Sequence, residues 1–159
     1  MDELLKILQT NALEPREAIA RMLELPAAEV NRRIADYEKR GVIRGYQAIL
    51  NEDQLEPEKV TAVIEVKVTP QREVGFDPIA ERISRFAEVR SAYLMSGTYD
   101  LLLFVEGANL REVARFVSER LAPLAGVLST STHFMLKTYK RLGVSMRQEQ
   151  SDERLTVTP

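Results

Sequence analysis

The sequence predicts an α+β protein in two parts: a helix-turn-helix domain over residues 1–50 and, beyond a linker over 51–59, an antiparallel sheet domain over 60–145 with helices on one face. Three observations carry this. Residues 15–43 read as two short helices joined by a tight turn and closed by Gly41-Val42-Ile43. At Val60 the hydrophobic period changes from that of a helix to two. From there the elements run strand-helix-strand-strand-helix-strand, the split βαβ or ferredoxin-like plan.

The first helix of the pair begins at Pro15, tolerated at the first helical position because its missing N–H would have no partner there. Ile19, Met22 and Leu23 give it one apolar face. The second runs from about Pro26 or Ala27 to Arg40, with Val30, Ile34 and Tyr37 as its buried stripe and Gly41 where a helix takes a left-handed terminal residue. At 100° per residue, Arg32 and Lys39 fall opposite that stripe, Ala28 and Ala35 beside them, and Asn31, Arg33, Asp36 and Arg40 on the flanks. A narrow basic face set with small residues suits a helix lying in a DNA major groove. The alternative is a solvated helix whose arginines contact nothing; the short helix ahead of it and the compact length of the pair favour DNA. Ala28, Asn31, Arg32, Arg33, Lys39, Arg40 and Arg44 are therefore the candidate contacts to double-stranded DNA.

In the second part, Arg44 to Leu50 reads as a strand or extended linker, and the acidic run Asn51 to Lys59, with Pro57, as the connection. Ala62, Ile64, Val66 and Val68 alternate with Thr61, Glu65 and Lys67 in a half-buried strand that ends at Pro70. Asp77 as N-cap and Pro78 as first residue open a helix bearing Ile79, Ile83 and Phe86. Val89 to Met95 is a second strand, Gly97-Thr98 a turn, and Tyr99 to Val105 a third strand. Asn109 and Glu112 form a capping box for a helix with Val113, Phe116 and Val117 on one face, ending near Pro123. A long last strand spans Val127 to Tyr139, and the tail 146–159 carries no core pattern. Phe86-Ala-Glu-Val-Arg-Ser and Leu124-Ala-Gly-Val-Leu-Ser recur 38 residues apart, as two half-domains of one design would. Leu101 to Val105 is apolar on both parities, so the sheet face that the helices leave open also needs a cover. A second copy of the sheet, giving a homodimer, is the simplest one.

Composition bounds the chemistry. With 159 residues, 45% hydrophobic and 29% charged, the chain has the balance of a soluble globular protein. No apolar run approaches a membrane span, and Met1-Asp2-Glu3 is unlike a basic signal-peptide start, so a cytoplasmic location is expected. Zero cysteines exclude disulfides and thiolate metal sites, and one histidine cannot form a histidine cluster; neither a metal nor a cofactor is implied. The net charge of −2 does not argue against DNA. In residues 1–50 eight basic side chains balance eight acidic ones, with the positive charge biased to the second helix. A neutral module with a local basic face binds DNA weakly alone and gains from being presented in multiple copies.

A second candidate site lies in the sheet domain. Ser129, Thr130, Ser131, Thr132 and His133 are consecutive hydrogen-bonding residues in a strand otherwise flanked by aliphatics. They read either as an exposed strand end whose hydroxyls pair with neighbours, or as the floor of a pocket for a small polar ligand. In the second reading the turn Ser96, Gly97, Thr98, Tyr99 and Asp100 forms the roof. Asp100 would then hold an ammonium group, or else only cap the turn.

Glu38-x-x-Gly41-x-Ile43-x-Gly45-Tyr46, Ser96-Gly97-Thr98-Tyr99-Asp100-Leu101-Leu102 and Ala125-Gly126-Val127, set on this order of elements, resemble the Lrp/AsnC (leucine-responsive/asparagine-responsive) family of prokaryotic transcriptional regulators over residues 2–145. The resemblance implies a winged helix-turn-helix, a C-terminal effector-binding and assembly domain, and dimers building into octamers or larger. It also implies amino acids or related metabolites bound between dimers near the glycine-aspartate turn. Its DNA side rests on the seven candidates above, its effector side on Ser96, Gly97, Thr98, Tyr99, Asp100, Thr130 and Thr132. Two positions depart from the usual pattern: Glu24 stands between the helices in place of Gly, and Pro26 ahead of the second helix in place of Ser. Two other functions resemble this architecture. One is a siroheme-type tetrapyrrole decarboxylase, for which His133 is the one histidine on offer; the other is an effector-only assembly protein, which Arg32, Lys39 and Arg44 argue against.

Overall fold

A computed structural model describes residues 2–55 and 59–147. The chain divides between Ala48 and Ile49 into two compact units.

The first unit holds three helices, α1 (Glu3–Thr10), α2 (Arg16–Met22) and α3 (Ala27–Lys39). The sequence reading had no counterpart for α1. Its start is nonetheless written in the sequence, because the Asp2 carboxylate accepts the Leu4 N–H at 2.7 Å as an N-cap. Leu4 and Leu8 of α1 are buried with Ile19, Ala20, Val30 and Ile34 in one core. Tyr37 donates its hydroxyl to Asp2 at 2.8 Å and ties α3 back to the head of α1. Pro15 precedes α2 as its cap residue rather than occupying its first turn.

Both α2 and α3 end in the same device. Gly41, at φ 71, lets its own N–H reach Glu38 O at 3.0 Å and the Val42 N–H reach Tyr37 O at 2.9 Å. After α2 the left-handed residue is Glu24, at φ 53, with Glu24 N bonded to Arg21 O at 3.3 Å and Leu25 N to Ala20 O at 2.9 Å. The tight turn between the helices is thus made without glycine. Residues 44–50 carry no strand ladder, so they follow the extended-linker reading. Among the described residues of this unit there is no wing hairpin.

The second unit contains a four-stranded antiparallel sheet of β1 (Val60–Val68), β2 (Val89–Leu94), β3 (Leu101–Gly107) and β4 (Val127–Phe134) in the order β2-β3-β1-β4, with α4 (Asp77–Ser84) and α5 (Leu110–Phe116) in the crossovers. This is the ferredoxin-like plan. Ala62, Ile64, Val66 and Val68 of β1 and Leu101, Leu103 and Val105 of β3 point to the helices and are buried with Ile79, Ile83, Val113 and Phe116. The repeat is structural as well. Val89 N bonds Phe86 O and Val127 N bonds Leu124 O, each at 3.0 Å, so both halves enter their returning strand through the same turn. Gly126, at φ 97, is required there, since a Cβ would lie 3.0 Å from Ile79 Cδ1.

Several boundaries differ from the sequence reading. Asp77 lies inside α4, with Phe76 as the cap residue, and makes no side-chain cap. The Asn109 cap is present, Asn109 Oδ1 accepting Glu112 N at 3.0 Å, while Glu112 Oε2 reaches one residue past the N-cap and accepts Ala108 N at 2.9 Å. Past Phe116 the helix widens into a π turn, Val117–Leu121. There Arg120 stacks over Phe86 at 4.5 Å and pairs with Glu88. The last strand stops at Phe134 rather than Tyr139. A two-residue turn at Leu142 (φ 47) and Gly143 (φ 87) then makes a hairpin of β5 (Lys140–Arg141) and β6 (Val144–Ser145). Of the linker and the tail, residues 56–58 and 148–159 lie outside the described residues.

Candidate functional site

The exposed side of α3 is a single stripe. Val30 and Ile34 are buried, and Ala28, Asn31, Arg32, Ala35 and Lys39 are all exposed along the opposite side, at spacings of three and four. Arg33 is half-buried on one flank, and Arg40 and Arg44 are exposed past the helix end. The cations are not equivalent. Glu29, in the first turn, accepts Arg32 Nε and Nη2 at 2.8 Å each and Arg33 Nε at 2.9 Å. These two guanidinium groups hold its carboxyl down at about 2. Arg40 is paired with Asp36 at 2.9 Å. At the helix start Pro26 supplies extended geometry (φ −61, ψ 142) but no side-chain hydrogen bond.

The second candidate site changes composition in three dimensions. On the open face of the sheet, register stacks Ser91, Phe104, Val63 and His133 in one row and Tyr93, Leu102, Glu65 and Ser131 in the next. The Tyr93 and Phe104 rings meet edge to face at 6.2 Å. A cleft of about 210 Å³ lies on this side, lined by Glu65, Lys67, Thr98, Tyr99, Ser129, Thr130 and Ser131. Of the seven sequence candidates, Thr98, Tyr99 and Thr130 line it; Ser96, Gly97, Asp100 and Thr132 do not. Thr130 and Thr132 stand opposite Val66 and Ile64, residues buried under the helices, so both share that strand parity, and of the two Thr130 also borders the cleft. Asp100 is already engaged, its Oδ2 accepting Val68 N at 2.9 Å while its own N–H donates to Val66 O at 3.0 Å. Through that one carboxylate oxygen it closes the end of β1.

Glu65 and Lys67 are the cleft residues the sequence reading passed over as ordinary polar alternation. A carboxylate and an ammonium two residues apart on the polar parity of an otherwise aliphatic strand were the available signal. His133 Nε2 stands 3.7 Å from Glu65 Oε1 and 3.3 Å from Ser131 Oγ. Both partners approach the same nitrogen, so the three do not form a nucleophile-base-carboxylate relay. Among the described residues no cluster of three or more His, Cys, Asp or Glu is placed to hold a metal, and no helix is long and apolar enough to cross a membrane.

A family model described as the Lrp/AsnC ligand binding domain matches residues 61–144. The chain is 48% identical over 158 residues to YugG, an HTH-type transcriptional regulator of Bacillus subtilis, covering 99% of this chain and 95% of that protein. It is 30% identical over 137 residues to the HTH-type transcriptional regulator LysM of Saccharolobus solfataricus, covering 86% and 92%. Among solved structures, the transcriptional regulator NMB0573 of Neisseria meningitidis, crystallised as a complex with L-Met, shares the fold with a TM-score of 0.69 at 23% identity over 89% of this chain and 93% of its own. These relatives are regulators, which sets aside the decarboxylase alternative. The family match spans the sheet unit and the identity with the Bacillus protein runs through both units, so the chain belongs to the Lrp/AsnC family of transcriptional regulators and is not an enzyme.

Proposed function

We propose that α3 is the recognition helix of a sequence-specific DNA reader. The observation that carries this is its exposed stripe, in which Ala28 and Ala35 leave room for close approach while Asn31, Arg32 and Lys39 supply base-reading donors. Arg33, Arg40 and Arg44, on the flank and beyond the helix end, contact phosphates and set register. Because the first 50 residues are electrically balanced, one copy binds weakly and affinity comes from paired copies on two half-sites. The double variant Arg32→Ala, Lys39→Ala is expected to lose about 2–6 kcal/mol of operator binding per half-site if both residues read bases. Gel shifts with a selected operator measure it, and unchanged binding by a folded double variant overturns the assignment.

The sheet unit holds the effector, an amino acid being the class proposed. Glu65 and Lys67 sit two residues apart on one face, about 7 Å along the strand, with hydroxyls of Ser129, Ser131 and Thr98 around them. That arrangement complements an ammonium and a carboxylate on one small molecule, and the bound L-Met of the Neisseria regulator supports the class. The open face is the dimer seam, and higher assemblies of such dimers follow from the family resemblance. A thermal-shift screen of amino acids, repeated on Glu65→Gln, tests the cleft: an effector found with wild type is expected to lose tenfold or more in affinity. Equal affinity in the variant places the site elsewhere.

A further inference from the structure

Resting on the reading of α3 as the recognition helix, we propose that Glu29 is a positioning residue for base readout: it clamps Arg32 so that one fork of its guanidinium faces the groove. A guanidinium carries five N–H donors, one on Nε and two on each terminal nitrogen. Glu29 takes the Nε–H and one Nη2–H at 2.8 Å each, the side-on fork. The fork left free is the end-on one, formed by Nη1 and the second Nη2–H, which points away from Glu29. Guanine offers O6 and N7 in the major groove to such a fork, and no other base presents two acceptors there.

Placement supports the role. Glu29 is the third residue of α3 and Arg32 the sixth, in the N-terminal half of the helix that enters the groove in helix-turn-helix proteins. The Arg32 side chain remains 69% exposed while that of Glu29 is 27% exposed, so the clamp lies at the helix surface and the free fork projects from it. Glu29 also binds Arg33 Nε, so one carboxylate restrains both neighbouring arginines. Restraint has two consequences. The fork loses less conformational freedom on meeting a base, and Arg32 is held back from indiscriminate phosphate contact while Arg33 keeps its terminal nitrogens for the flanking backbone. Glu29 therefore trades general affinity for discrimination.

The test uses the full chain. Binding-site selection on wild type and Arg32→Ala identifies the base pair whose guanine preference depends on Arg32; discrimination there is then measured for Glu29→Gln and Glu29→Ala, with non-specific binding followed against salt. The expected result is a loss of about tenfold in discrimination at that one position, with non-specific affinity raised and its salt dependence steeper, since a negative charge has gone. Discrimination unchanged at that position overturns the proposal while leaving the recognition helix intact. So does a loss at a neighbouring cytosine instead, which makes Glu29 a direct reader of the cytosine amino group, or a fall in thermal stability alone, which makes it only an acidic first-turn residue. Failure of the underlying reading is distinct, because then Arg32→Ala changes no position at all.

Discussion

Asp2 and Tyr37 show how a single contact couples pH to the first unit. The Tyr37 hydroxyl, followed by the Leu4 N–H, holds the Asp2 carboxyl below its ordinary value of 3.8. The same bond raises the Tyr37 phenol above 10.0. A depressed carboxylate contributes stability above its unfolded value and loses it as pH falls through the folded one; a raised phenol contributes below 10.0 and loses it as pH rises. The bond therefore acts across the neutral range and fades at both ends. Tyr37→Phe is expected to lower the melting temperature of the helical unit near neutral pH, with the gap from wild type closing as pH falls through the lowered Asp2 value. Circular dichroism melts across the acid range read this out, and a gap that stays constant with pH contradicts the coupling.

At the scale of elements, the turn between α2 and α3 carries the chain's most legible departure. Glycine closes α3, but Glu24 closes α2 in the same left-handed conformation, where a side chain crowds the following carbonyl. Glu24→Gly is expected to stabilise the unit by about 0.5–1 kcal/mol, the relief of strain less the added freedom of the unfolded chain. Pro26 caps α3 with backbone shape alone, so Pro26→Ser is expected to add about 1 kcal/mol by supplying the missing side-chain acceptor. Urea denaturation measures both, and a lowered midpoint in either counts against the account. Neither change touches Arg32 or Lys39, so operator affinity should be kept.

For the whole molecule the decisive feature is the face of the sheet opposite the helices. Leu102, Phe104 and Tyr93 stand on it in adjacent rows beside Val63, with Tyr93 52% exposed in the single chain. Such a face calls for a cover, and a second sheet supplies an apolar surface of matching twist. Leu102→Glu is expected to dissociate the proposed dimer to monomer at micromolar concentration, as read by sedimentation, by setting a further carboxylate into the proposed seam. A wild-type protein that sediments as a monomer contradicts the seam.

The sequence by itself determined what periodicity and punctuation encode. Val30, Ile34 and Tyr37 set which side of α3 faces solvent, Gly41 its end, the Asn109 cap the start of α5, and the doubled apolar parity of Leu101 to Val105 the need for cover on both faces. The helix α1 was equally written, in Asp2 and the Leu4–Leu8 spacing, though too short to claim without its partners. What tertiary structure alone decided are the pairings between distant segments. Strand register set Glu65 against Ser131 and Lys67 against Ser129, put Thr132 opposite the buried Ile64, and brought the Val68 N–H to Asp100. A strand's period of two says that neighbouring residues face opposite ways; only the ladder, formed by residues more than thirty positions apart, says which way is which.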